Sequence, residues 1–231
     1  NLGFHKRVDG LTGAVRMKGK SVNATMERAK IGDSEVSGSI SISDMRRPRV
    51  DIELNFSFLD TTDFSAPPGY VSPTTWGQWI RTNPTIRFLA RSVGTANVKV
   101  SKGKTPTRPF ADFQAQFEDQ NGLIRAKRWH VSMADGILQG NARFDIRANT
   151  TTPFVVEFQA DHMRMERVLL INADRVRVQG DMTAEGRMEW KTTSRRENNG
   201  IYKTGKIEVR VQDGVIYRFE ALSKIFSLIN L

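Results

Sequence analysis

The chain has 231 residues and a mass of 26.1 kDa, with 39% hydrophobic and 26% charged residues and a mean hydropathy of -0.43. This composition excludes a disordered chain, and no apolar run approaches the about 20 residues that a membrane-spanning helix needs. The absence of cysteine excludes disulfides, thiolate metal ligands and cysteine nucleophiles. Since the chain begins at Asn1 and ends inside an apolar segment, we expect it to be part of a longer protein, with any membrane anchor outside it.

The net charge of +10 is concentrated in one stretch. Residues 81–109 contain seven basic side chains and no acidic one, whereas the segments on either side are nearly balanced. Such a stretch favours contact with phosphate, on nucleic acid or on lipid headgroups, and a solvated basic loop is the alternative. The seven candidate headgroup-facing residues are Arg81, Arg87, Arg91, Lys99, Lys102, Lys104 and Arg108.

Alternation of apolar and polar residues is the strongest pattern along the chain, and it places successive side chains on opposite faces of a strand. In the series from Val50 to Phe58, apolar residues alternate with Asp51, Glu53, Asn55 and Ser57. The same pattern predicts strands with one apolar face at 36–42, 50–58, 113–117, 138–146, 154–158 and 176–190. Val15, Met17, Val22, Ala24 and Met26 indicate two further strands around Gly19.

Four Asp-Gly or Asn-Gly pairs predict hairpin turns between such strands. They are Asp9-Gly10, Asn121-Gly122, Asp135-Gly136 and Asp213-Gly214. Their recurrence favours an extended antiparallel sheet in which sequential strands are neighbours. Sandwiches and barrels use the same turns, so both stay open as alternatives.

Three kinds of segment interrupt the strand pattern. Ser72-Pro73 and Asn83-Pro84 predict short helices at 73–80 and 84–92, because proline is favoured at the first helical position. Asp161 is a candidate cap for a helix that runs through Met165, Val168 and Leu169. Apolar residues at helical spacing predict an amphipathic helix over 219–229, and 66–70 is the best candidate linker.

The predicted fold is therefore mainly β, a long antiparallel twisted sheet that forms an open groove or half-pipe with an apolar inner face and a few short helices. We divide the chain into a β-sheet segment at 1–65, a linker with short helices at 66–93, and a β-groove region at 94–231 that ends in the amphipathic helix.

The sequence contains no constellation that predicts catalysis, a metal site or a cofactor. Gly19-Lys20-Ser21 and Gly103-Lys104-Thr105 resemble the end of a phosphate-binding loop, but Ala14 and Val98 stand where its first glycine is required. The three histidines lack the spacing of paired metal ligands. We therefore expect a protein that is not an enzyme.

The predicted apolar face needs a cover, which a second sheet, helices or an apolar ligand can supply. The sequence predicts few helices, so we favour a groove that holds acyl chains, with a closed sandwich core as the alternative. The candidate lipid-binding residues are Val50, Ile52, Leu54, Phe56, Phe58, Leu138, Ala142, Phe144, Ile146, Val176, Val178, Met182, Met188 and Trp190.

The segments 165–170, 178–186, 204–209, 213–216 and 219–231 occur in an order that resembles the C-terminal region of AsmA-like proteins, the group of TamB- and YhdP-type repeating β-groove proteins. The last thirty residues carry most of the likeness, with a strand, Asp213-Gly214, another strand and then Phe-x-x-Leu-x-x-Ile-Phe-Ser-Leu-Ile-Asn. Segments 31–36, 59–64 and 134–140 are similar to the degenerate β repeats of the same family.

The resemblance implies a periplasmic protein held in the inner membrane by a segment outside this chain. It implies transport of phospholipid toward the outer membrane and a role in envelope biogenesis, with phospholipid or another acyl-chain lipid and an anionic membrane surface as partners. One alternative is a structural or assembly module that pairs with other envelope β proteins by strand addition. A nucleic-acid-binding β domain is less favoured, because no aromatic residues interleave the basic residues between 91 and 109.

Overall fold

The computed structural model describes residues 6–44, 48–64, 84–147, 153–168, 178–192 and 201–216. A 3₁₀ turn (Thr61–Phe64) and the short helices α1 (Pro84–Leu89) and α2 (Met165–Val168) accompany the strands. Over these ranges, no helix has the length and apolar character to cross a membrane. The strands are β1 (Val8–Lys18), β2 (Ser21–Ile31), β3 (Ser34–Ser43), β4 (Arg49–Asp60), β5 (Val93–Lys104), β6 (Pro109–Gln120), β7 (Leu123–Met133), β8 (Gly136–Asp145), β9 (Phe154–Arg164), β10 (Val178–Thr192) and β11 (Ile201–Ile216).

All eleven strands belong to one sheet, and their order in the sheet is their order in the chain. β1 and β11 form its two edges, so the sheet is open. The prediction of a mainly β protein with an open antiparallel sheet is thus confirmed for every pair of neighbouring strands but one. Because every strand of the described ranges lies in this one sheet, these ranges do not form the two-sheet sandwich that was the alternative.

One pair of strands departs from the predicted antiparallel pattern. β4 and β5 are parallel, with a register that runs from Arg49 opposite Val93 to Asp60 opposite Lys104. Parallel neighbours need a crossover of a dozen residues or more, and the connection over 61–92 supplies it. The sheet therefore continues across the predicted linker, with the strands on its two sides directly paired. Turn signals could not predict this, because no tight turn is involved.

Two of the four predicted hairpin turns are confirmed and two are wrong. Asn121-Gly122 connects β6 to β7, and Asp135-Gly136 lies where β7 turns into β8. Asp9-Gly10 and Asp213-Gly214 instead lie inside β1 and β11, where the register with the neighbouring strand shifts. One type of β-bulge, the G1 bulge, uses the same positive φ as a tight turn, and Gly10 and Asp213 have φ of 59° and 51°. An Asp-Gly or Asn-Gly pair therefore predicts a positive φ, but it does not distinguish a hairpin turn from a β-bulge.

The short helices agree only partly with the sequence predictions. The predicted helix at 84–92 is present as α1 and ends at Leu89, after which the amides of Arg91 and Ser92 donate to the carbonyls of Phe88 and Leu89. The prediction that Asp161 caps a helix is wrong, because Asp161 belongs to β9 and α2 begins only at Met165. The predicted helices at 73–80 and 219–229 and the linker at 66–70 lie outside the described residues.

Two clusters of buried residues lie along the sheet, and further buried residues such as Val100 and Ala126 lie on the strands between them. One cluster joins Ala29, Ile31 and Val36 of β2 and β3, and the other joins Ala160, Met163, Met165 and Met182 around α2. The accessible surface of 15557 Å² exceeds the roughly 10,500 Å² of a compact chain of this mass. This excess agrees with a single open sheet.

Candidate functional site: the apolar face of the sheet

Strand register aligns apolar side chains from β1 to β10 on the same face. Partners directly opposite each other in antiparallel and parallel ladders point to the same side of a sheet, so a row of partners is a row of side chains. We call this side the apolar face, and its central row contains Val15, Ala24, Ile40, Ile52, Ala96, Phe117, Ala126, Ala142, Val156 and Met188.

Most of the described candidate lipid-binding residues lie on this face. Val50, Ile52, Leu54 and Phe56 of β4 stand in register with the predicted apolar residues of β3 and with Gly94, Ala96, Val98 and Val100 of β5. Ala142, Val156 and Met188 form one cross-strand row, and Leu138 is opposite Val131 and Ala160. The face thus unites residues from segments more than a hundred positions apart.

Five candidates are already in contact with other parts of the protein. Met182 is buried in the cluster around α2, and Val50, Ala142 and Ile146 are 4 to 8% exposed. The ring of Phe58 lies 5.9 Å from the Lys104 ammonium nitrogen. Val176 and the side chain of Val178 lie outside the described residues.

An aromatic group extends along one margin of the apolar face. The ring centroids of Phe144 and Phe154 are 4.5 Å apart, and those of Phe154 and Trp190 are 4.4 Å apart. Phe154 was not among the candidate site residues, although it continues the row from Phe144 to Trp190. Only the pairing of β8, β9 and β10 reveals this continuity.

The basic stretch does not form one patch. Lys99 is opposite Asn55 and Gln114 on the polar face, whereas Lys102 is opposite Phe58 on the other side. Arg87 and Arg91 are exposed and lie on α1 and the turn that follows it, and Arg81 is outside the described residues.

The other two cations are engaged by the protein. Lys104 lies 2.9 Å from Asp60 and 3.4 Å from Asp33, and the hydrogen bond to Asp60 raises its pKa. Arg108 donates to the carbonyl of Val168, and burial lowers the pKa of its guanidinium. These two side chains join neighbouring parts of the fold, so they are poor candidates for headgroup contact.

A buried carboxylate that the sequence analysis missed secures one end of the site. Asp63 is 3% exposed and accepts hydrogen bonds from the amides of Asp33 and Ser34 and from the Ser34 hydroxyl, at 2.8 to 3.0 Å. These contacts hold the 3₁₀ turn after β4 against the turn between β2 and β3. No sequence signal links Asp63 to partners about thirty residues earlier.

A cavity of about 320 Å³ opens on the apolar face beneath the end of α1. Its floor is formed by β4 to β8, and Leu89 is the residue of α1 that lines it. The complete lining is Val50, Ile52, Leu89, Ser92, Gly94, Thr95, Ala96, Phe117, Asp119, Ile124 and Phe144.

The opposite face has a larger but polar concavity of about 720 Å³. Asn55, Asn97, Gln114 and Gln116 line it together with Lys99, Arg128 and His130. Across the described residues, no three histidine, aspartate or glutamate side chains come together as a potential metal site.

Comparison with models of protein families, with curated proteins and with solved structures found no match to this chain.

Proposed function

We propose that this protein is a non-enzymatic lipid-binding domain that holds acyl chains along its apolar face. One observation carries the proposal: the central apolar row crosses ten neighbouring strands, and no second sheet of the described residues lies over it. An apolar ligand is one cover that makes such a face stable in water.

The dimensions of the face suit chains that run across the strands. Eleven strands about 4.8 Å apart span about 50 Å. One leaflet of a bilayer, by comparison, contributes half of a hydrocarbon core about 30 Å thick. Several chains can therefore follow one another along the face, and each buried methylene contributes about 0.8 kcal/mol to binding.

Exposure of the edge supports the same proposal. Val15 and Met17 of β1 are 69% and 76% exposed, and both belong to apolar rows. Exposed apolar side chains that continue a larger apolar surface mark interaction sites. Lipid chains or further apolar surface would cover them.

The resemblance to AsmA-like proteins adds a cellular location and a transport role to the proposal. On that resemblance, the domain acts in the periplasm as part of a protein anchored in the inner membrane, and it carries phospholipid toward the outer membrane. Arg87 and Arg91, which are exposed beside the apolar face, would meet an anionic membrane surface.

Photo-crosslinking from adjacent residues of β4 tests the proposal. Leu54 belongs to the apolar face and Asn55 to the polar face, so a crosslinking amino acid at each position samples the two sides of one strand. We expect phospholipid adducts from position 54 in cells, and none from position 55. Equal lipid capture at both positions, or capture of neighbouring strands alone from position 54, would contradict the proposal.

A second candidate function is assembly by strand addition at β1. All eleven residues of β1 are exposed, and this strand has a neighbour on one side only among the described residues. An edge of this kind can accept a strand from another β protein. A crosslinker at Val15 that yields adducts with a polypeptide instead of a lipid would favour this function.

A further inference from the structure

We infer that the cavity beneath α1 is a defined site for the hydrocarbon end of one anionic amphiphile. This inference rests on the proposed function, because it assigns one position on the apolar face a greater affinity than the rest. Two features support it: a preformed apolar void, and two exposed arginines on the segment that roofs the void.

The void arises from small residues on β5. Gly94 and Ala96 stand between Val50 and Ile52 of β4 and Asp119 and Phe117 of β6, so the floor dips where β5 passes. A Cβ atom on Gly94 would lie 1.8 Å from the carbonyl oxygen of Val50. The close β4 backbone therefore excludes a side chain at position 94, and Ala96 adds only a methyl group to the floor of the cavity.

The roof is tied to the sheet by hydrogen bonds at the end of α1. The Ser92 hydroxyl donates to Asp119 across 2.6 Å, and the Ser92 carbonyl accepts from the Asn121 amide across 2.8 Å. Asp119 also accepts from the Gly122 amide. These bonds hold Leu89 over the floor, so the cavity exists before a ligand arrives.

The lining selects hydrocarbon. The polar side chains that face it already have partners within the protein, since Asp119 accepts hydrogen bonds from the Ser92 hydroxyl and the Gly122 amide. The side chain of Thr95 lies on the polar face, where it donates to Asp51 across 2.9 Å. A polar ligand group inside the cavity would lose its hydrogen bonds to water without replacement. If each chain carbon takes about 30 Å³, roughly the volume of one water molecule in the liquid, the cavity holds on the order of ten chain carbons. This is enough for the end of one chain.

The charges beside the roof select an anionic headgroup. Arg87 and Arg91 lie two residues before and after Leu89, both are exposed, and neither forms an ion pair with the described residues. A chain that enters the cavity keeps its headgroup in water near these guanidinium groups. Guanidinium binds carboxylate and phosphate oxygens well.

Matched substitutions on the central row test the site with cis-parinaric acid, a fatty acid whose fluorescence rises in apolar surroundings. Ala96 lines the cavity, whereas Ala24 is equally half-buried on the same row two strands before β4. We expect Ala96→Phe to raise the dissociation constant at least tenfold, and Ala24→Phe, at a position of the same binding face outside the cavity, to raise it by a factor of three or less. Leu89→Gln, which alters the roof without filling the floor, should also weaken binding.

The outcomes separate the two proposals. If the unmodified protein binds no parinaric acid, both proposals fail. If it binds but Ala96→Phe and Leu89→Gln bind equally well, or if Ala24→Phe weakens binding as much as Ala96→Phe, the defined site is wrong while the lipid-binding face stands. Circular dichroism identifies any variant that has lost its fold. Such a variant is set aside, and the remaining variants then decide whether the defined site exists.

Competition experiments test the headgroup part of the inference. Dodecanoate and dodecanol carry the same chain with and without a charge, and each can displace parinaric acid. We expect the double variant Arg87→Glu, Arg91→Glu to weaken displacement by dodecanoate at least fivefold and to leave displacement by dodecanol unchanged. An equal effect on both competitors, or none on dodecanoate, would overturn the choice of an anionic ligand.

Discussion

The two faces of this sheet are built from the same strands, but they differ in how many of their side chains have partners within the protein. On the polar face, side chains bind one another across the strands: Thr95 donates to Asp51, Asn141 donates to Glu157, and Arg187 binds both Glu157 and Glu189. The apolar face has buried clusters near β2 and near α2. Between them, buried residues such as Val100 and Ala126 lie among half-buried ones such as Ile52, Ala96 and Phe117.

This difference indicates where the function lies. Exposed polar groups bind water and each other, so the polar face needs no apolar cover. Apolar groups in water are unfavourable in proportion to their exposed area, so the apolar face favours a ligand or a covering segment. The contrast between the faces, and not any single residue, is the basis for the proposed function.

The largest difference between the two faces is expected when a carboxylate is introduced on each side of β5 in turn and the free energy of unfolding is compared. Val100 is 1% exposed on the apolar face, and the next residue, Ser101, is exposed on the other face. We expect Val100→Asp to lower the free energy of unfolding by about 3 kcal/mol or more, because it buries an unpaired carboxylate. Ser101→Asp should change it by less than about 0.5 kcal/mol. Urea unfolding measures both values, and similar losses would contradict the assignment of the faces.

Alanine at two glycines that both have a positive φ sharpens the comparison, because only one of the two sites is also crowded. Gly94 has a φ of 157° and a Cβ there would meet the Val50 backbone, whereas Gly19, in the turn between β1 and β2, has a φ of 59° and a Cβ there would meet nothing within 4 Å. We expect Gly94→Ala to cost about 2 kcal/mol or more, since neighbouring backbone must shift. Gly19→Ala should cost about 1 kcal/mol for the left-handed conformation. Thermal unfolding compares them, and a smaller loss at Gly94 would contradict the tight pairing of β4 with β5.

The smallest expected effect is on the acid stability of the polar contacts at the end of β4. Burial alone raises the pKa of Asp60, but hydrogen bonds from Lys104 and Thr62 outweigh it and hold the pKa at about 2. Because the folded-state pKa is below the unfolded value near 3.8, the charged form stabilises the fold above that value. This stability is lost as the pH falls toward 2.

Unfolding by urea as a function of pH measures this contribution. We expect the urea midpoint to fall between pH 4 and pH 2, and to fall less in Lys104→Met, which removes one of the hydrogen bonds to Asp60. An identical pH dependence in that variant would show that Lys104 does not set the pKa of Asp60.

Local sequence patterns were sufficient for the strands and their faces because alternation has a direct geometric meaning. The series from Val50 to Phe58 predicted β4 and its apolar side, and Asn121-Gly122 predicted the turn after β6. The same reasoning failed for Asp9-Gly10 and Asp213-Gly214, because a bulge and a turn share one backbone conformation. It also missed Phe154 and Asp63, whose roles depend on partners in other strands.

The sequence by itself determined that the chain forms mostly one-faced strands without cysteine or a catalytic constellation, because composition and periodicity act locally. Only the tertiary structure decided that β4 and β5 are parallel neighbours and that Gly94 and Ala96 leave a cavity beneath Leu89. It also separated the basic residues, with Lys104 and Arg108 bound to other parts of the fold and Arg87 and Arg91 exposed beside the apolar face. These features depend on strand order and register, which bring together residues that no local pattern connects.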